Sequence, residues 1–243
     1  MKARILLPMI VLFWIANRSA WAVDHSMFDT ILRDNVRDAK VDYQNIRDHY
    51  RDQLTNYLNR IAQVDVANLP RNEQLALYLN LYNAAMMEAI VERYRPDYQP
   101  VEKKSAVFSE EFIHVDGKTI SLNTLEHELI RKGFKDPRVH SAMVCGGLSC
   151  PPLQPRAFRA DDLDAMLDSC MKNWLLNPNF NKIDLEKHKL RLSKIFTWYT
   201  DDFGGPDNLP AYVSKFTGLD VRGFEVTFLQ YDYRLNDMSG EGR

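Results

Sequence analysis

The chain has 243 residues, of which 45% are hydrophobic and 26% charged, with a formal net charge of −2. That length can bury a full core without staples, and the ordinary apolar and charged fractions exclude a disordered or fibrous chain. The slight acidity, with no concentration of Lys and Arg, argues against a nucleic-acid partner.

Residues 1–22, "MKARILLPMIVLFWIANRSAWA", join a basic start (Lys2, Arg4) to an apolar run from Ile5 to Ala16 and an Ala20-Trp21-Ala22 cleavage site. This is the build of a secretory signal peptide cut after Ala22, and the apolar run is short for a membrane span. Its removal takes Lys2, Arg4 and Arg18 and no acidic group, leaving 28 basic and 33 acidic residues and a net charge of −5. The expectation is a periplasmic or secreted protein, residues 23–243, with no stable membrane insertion after cleavage.

The mature chain opens helically. "SMFDTILRDNV" starts at Ser26, a residue type suited to an N-cap, and "YRDQLTNYLNRIAQV" is amphipathic. "PRNEQLALYLNLYNAAMMEAIVERY" reads as a buried central helix beginning near Pro70 and ending at "RPDYQP". It carries Asn80 and Asn83, three apart and so on one helical face. Amides in such a setting need partners. They tie loop backbone to the core, orient an imidazole, or bind a substrate carbonyl.

"EFIHVDGKTISL" predicts a hairpin turning at Asp116-Gly117, and "SLNTLEHELIRKGF" a capped helix ending at Gly133. The latter holds Glu126 and His127, which a regular helix points about 100° apart. "RVHSAMVC" predicts a strand, "RADDLDAMLDSCMKNWLL" a helix in which Cys170 packs as a small apolar residue, and "KIDLEKHKLRLS" a second hairpin. "KIFTWYTDDFGG" and "LPAYVSKFTG" are short helices with glycine stops, and "GFEVTFLQYDYRL" is a closing strand. Helices dominate, so the fold class is α+β: one mostly helical domain with a small antiparallel sheet and a helical N-terminal extension. There is no βαβ rhythm and no Gly-rich phosphate loop, and no cofactor is expected.

The stretch with most chemistry is "VHSAMVCGGLSCPPLQP", residues 139–155. Cys145 and Cys150 flank a diglycine and precede a diproline that stiffens the loop. Three readings stand: a structural disulfide, a reactive thiol, or a metal site. The metal reading lacks a CxxC pair, and "HELIR" does not complete HExxH. A helix starting beyond the prolines would lower a nearby thiol's pKa and offer N–H groups to an oxyanion. A thiol also needs a base. His140 lies at an odd spacing from Cys145, which in a strand puts them on opposite faces, and His127 comes from a separate helix. Trp198 and Tyr199 either pack or wall a cleft.

Together, "LYLNLYNA" (77–84), "SLNTLEHELIR" (121–131), "DPRVHSAMVCGGLSCPPLQP" (136–155) and "IFTWYTDDFG" (195–204) resemble the domain of unknown function 547 family. The third motif is the most specific. Residue by residue, the resemblance points to Asn80, Asn83, Glu126, His127, His140, Cys145 and Cys150. One departure is Asn123 and Thr124, where acidic residues are expected. The family occurs in exported bacterial proteins and, with other domains, in plants. The set implies a thiol hydrolase or acyltransferase acting on an amide or peptide bond of a peptide or cell-envelope substrate. Cys145 would be the nucleophile, His127 or His140 the base, and Glu126 or Asn80 the orienting group. The order, Cys last, differs from a papain-like enzyme. The alternative is a non-catalytic binding module clipped by a Cys145–Cys150 disulfide.

Overall fold

A computed structural model describes residues 22–95, 98 and 106–238. The expected signal peptide, apart from Ala22, lies outside the described residues.

The chain is mostly helical, with small sheets packed against the helices, as an α+β domain requires. The central helix, Arg71–Arg93, is buried without a break from Leu75 to Met87. Apolar residues on every face make it the axis of the larger core. Around it pack the helices Ser26–Asn35 and Arg51–Ile61, the hairpin Glu111–Val115/Lys118–Ser121, and the helical run 122–134. A smaller core gathers Trp174, Phe196, Phe203, Val213 and Leu192 from the C-terminal third. Tyr231 packs against both cores and marks the seam between them.

The first hairpin turns as expected: Asp116 and Gly117 both have positive φ, 48° and 70°, as a type I′ turn demands. The second hairpin pairs Lys182–Asp184 with Lys189–Leu192. The closing strand Glu225–Phe228 adds to it in parallel, so this sheet is mixed rather than purely antiparallel.

Four local expectations are corrected. Ser26 does not cap the first helix; its own N–H is capped by Asp24 Oδ1 at 2.9 Å. "RVHSAMVC" is not a strand: Pro137–Ser141 is a 3₁₀ helix whose first turn is closed by Asp136, accepting from Arg138 N at 2.9 Å. Asp136-Pro137 starts the helix with an acceptor and a pre-set φ, which outweighs the strand tendency of the apolar residues that follow. No helix begins at the diproline; the next one is Leu163–Leu176. The helix holding Glu126 and His127 is capped by Ser121 as expected, but Leu125–Arg131 winds as a π-helix. Such wide turns change the angle between neighbours, and His127 Nδ1 lies 3.9 Å from Glu126 Oε1.

Candidate functional site

Cys145 and Cys150 are joined by a disulfide, with Cα atoms 6.2 Å apart. The intervening chain can turn back because Gly146 takes φ 85°, open to glycine at little cost. Side chains of the central helix and the C-terminal segment then fix the loop and its flanks from outside. Asn83, on the central helix, gives Nδ2 to Ala142 O and takes Val144 N–H on Oδ1, both at 2.9 Å. Asn80 clamps Phe158 in the same two-sided way, again at 2.9 Å twice. The C-terminal segment crosses the loop, with Leu148 N–H on Arg234 O and Asn236 N–H on Gly146 O, each 2.8 Å. This segment delivers Tyr231, whose hydroxyl lies 3.2 Å from Cys145 Sγ and 3.1 Å from Cys150 Sγ. Bridged sulfurs carry no proton, so Tyr231 is the donor to both.

Cys145 is half-buried and opens onto a cavity of about 210 Å³. Glu126, His140, Tyr82, Tyr199 and Trp198 share its wall with Cys145 and Tyr231. Of the sequence-derived residues, the fold therefore brings Glu126, His140 and the cysteine pair together. His127 sits beside this cavity on another concave surface with Arg131 and Asp202. Asn80 and Asn83 lie behind it, with both ends of each amide committed to backbone.

The polar groups form two linked sets. Glu126 is buried and accepts the Tyr199 hydroxyl on Oε1 at 2.7 Å and the Tyr82 hydroxyl on Oε2 at 3.2 Å. Burial, reinforced by the Glu126 charge, pushes the pKa of both tyrosines well up, so they remain protonated donors. Tyr231 is likewise raised by burial. In the second set, His140 Nε2 meets Asp202 Oδ2 at 2.6 Å. Arg131 grips the same carboxylate with Nε at 2.7 Å and Nη2 at 3.0 Å. The His140 hydrogen bond, with Arg131 added, holds Asp202 far below the usual carboxylate range. An ionised Asp202 accepts the Nε2 proton, which leaves Nδ1 as the basic nitrogen of His140. Tyr199 lies against the imidazole with ring centroids 4.3 Å apart, fixing the ring plane.

Among the described residues neither histidine hydrogen-bonds a cysteine sulfur. Cys170, the third cysteine, is buried in the helix Leu163–Leu176, and burial raises its thiol pKa to about 12. Among the described residues no group of three or more His, Cys, Asp and Glu is arranged to hold a metal ion. No described helix is long and apolar enough to cross a membrane. Sequence reasoning passed over Asp202, Tyr231 and Tyr82. Asp202 stands in "TWYTDDF", three residues beyond Tyr199. Tyr231 had no such signal.

The family model described as "Protein of unknown function, DUF547" matches residues 66–175. No curated protein and no solved structure matches the chain. The matched region contains the disulfide, Glu126 and His140, and ends before Asp202 and Tyr231.

Proposed function

From a chain that belongs to the DUF547 family through residues 66–175, we propose a thiol-dependent hydrolase or acyltransferase of the cell envelope, acting on an amide or peptide bond and held inactive by its own disulfide. The observation that carries this reading is the shared cavity: Cys145 lies on the same wall as His140, and Asp202 orients that imidazole from behind. These are the three roles a thiol nucleophile needs.

Activation begins with thiol–disulfide exchange. An exported dithiol gives two electrons to the Cys145–Cys150 bond, becomes a disulfide itself, and leaves two thiols here. Freed Cys145 Sγ turns into the cavity and loses its proton to His140 Nδ1. The thiolate attacks the amide carbon, and the C–N bond breaks as Nδ1 returns the proton to the leaving amine. Water or an acceptor amine then opens the thioester. Asp202 holds the ring and stabilises the imidazolium. Tyr231, already a donor to both sulfurs, stabilises the thiolate.

A second reading is favoured by the bridge itself. With both sulfurs joined and tied down by Tyr231, the loop serves as the rigid wall of a non-catalytic binding site. Alkylation kinetics of the purified protein separate the two. Under the enzymatic reading, reduction makes Cys145 react with iodoacetamide at least about tenfold faster than Cys150, and His140→Ala removes the difference. Equal, slow labelling of both cysteines after reduction leaves only the binding module.

A further inference from the structure

We infer that the cavity is a receptor for a primary alkylammonium group, so that the amide it processes is flanked by a lysine-like side chain. The inference rests on reading this cavity as the substrate site, and names the class of substrate.

The first argument is charge. Glu126 is 8% exposed and lies on the cavity wall, yet its two hydrogen-bond donors are neutral tyrosine hydroxyls. Among the described residues no Lys or Arg lines the cavity. His127 approaches Glu126 Oε1 at 3.9 Å, but its Nδ1 accepts the Arg131 Nη1 N–H at 2.8 Å and so has no proton to offer the carboxylate. Arg131 is occupied by Asp202, and His140 by the same carboxylate. Arg131 acts on Glu126 only through space; among the described residues the buried carboxylate has no Lys or Arg in contact, and a ligand ammonium that touches it gains most where water is excluded.

The second argument is the aromatic lining. Tyr82, Phe108, Trp198 and Tyr231 line the same cavity. Tyr199 contributes only its hydroxyl, because its ring is already covered by the Arg131 guanidinium at 4.4 Å and by His140. Trp198 is 47% exposed, unusual for so large an apolar ring, and packs at 4.8 Å on Tyr231 at the mouth. Aromatic rings around a carboxylate attract a cation through their negative faces. Glu126 and the tyrosine hydroxyls offer acceptor sites that suit N–H donors, which a primary ammonium has and a quaternary one lacks. A volume of about 210 Å³ admits a side chain of lysine size and not a whole peptide.

The test is calorimetric titration of the oxidised full chain, in which no thiol can attack, with Nα-acetyl-lysine N-methylamide, its norleucine counterpart and choline. The lysine probe is expected to bind at least about tenfold more tightly than either, and Glu126→Gln to remove most of that preference. Trp198→Ala, a change at an exposed position that leaves the core intact, is expected to weaken the lysine probe several-fold. Equal binding of the lysine and norleucine probes, or a Glu126→Gln protein that binds lysine unchanged, overturns the inference. Tighter binding of choline overturns the primary ammonium. Because the oxidised protein is used, lysine binding without turnover after reduction sinks the thiol reading alone. Turnover of peptides without lysine preference sinks this one alone.

Discussion

His140 Nε2 and Asp202 Oδ2 stand 2.6 Å apart although 62 positions separate them in the chain. The imidazole is thereby held in one tautomer, with Nδ1 as its base. Asp202→Asn keeps the size of the side chain but lets the amide donate, which reverses the tautomer. Turnover of peptide amides by the reduced protein is expected to fall about 10²- to 10⁴-fold. A merely structural role for Asp202 would lower stability and leave the pH–rate profile of the folded fraction unchanged, so that profile is the deciding measurement.

The disulfide closes a short loop, with a sequence separation of 5. Loop-closure entropy makes it worth about 2 kcal/mol, so the Cys145→Ser, Cys150→Ser double variant should lose that much unfolding free energy in a urea titration. In mass spectrometry after iodoacetamide without reductant, neither cysteine should gain a label, and Cys170 should label only on unfolding. Ready alkylation of Cys150 in the untreated protein would contradict the bridge.

Asn80 and Asn83 each satisfy a buried N–H and a buried C=O of another segment. Replacing either with Ala orphans both backbone groups, at a cost of about 2 to 4 kcal/mol. Urea midpoints should report it. Asn83→Asp should also destabilise, because Ala142 O then loses its donor.

His25 is buried, hydrogen-bonded through Nδ1 to the Tyr57 hydroxyl at 2.7 Å, and Nε2 has no partner among the described residues. Burial lowers its pKa from 6.5 to about 4. The unfolded chain therefore takes up a proton that the folded one refuses. The stability present above pH 6.5 declines as pH falls towards 4, by roughly 3 kcal/mol in all, and changes no further from this group below that. His25→Gln should flatten this limb of a stability-against-pH curve. An unchanged limb would mean that another group carries it.

Much of the fold was legible because local chemistry dictates it. Asp116-Gly117 can only turn tightly, and the apolar run 75–87 can only be buried. Other local cues misled. The strand expected at 138–145 was overruled by Asp136-Pro137, and Ser26 lost the cap to Asp24, two residues earlier. In both cases one short side-chain-to-backbone hydrogen bond decided between conformations of similar energy.

What the sequence by itself determined is an inventory: helices with their faces, hairpins with their turns, and which residue types near Cys145 are capable of chemistry. Each of these depends on neighbours a few positions away. Only the tertiary structure decided how that inventory is connected. It joined Cys145 to Cys150, set Tyr231 on both sulfurs from 81 and 86 positions off, and gave His140 its carboxylate from a different helix. The reason is physical: hydrogen bonds and disulfides act over a few ångströms, and which distant groups come that close is settled by packing two cores against a seam.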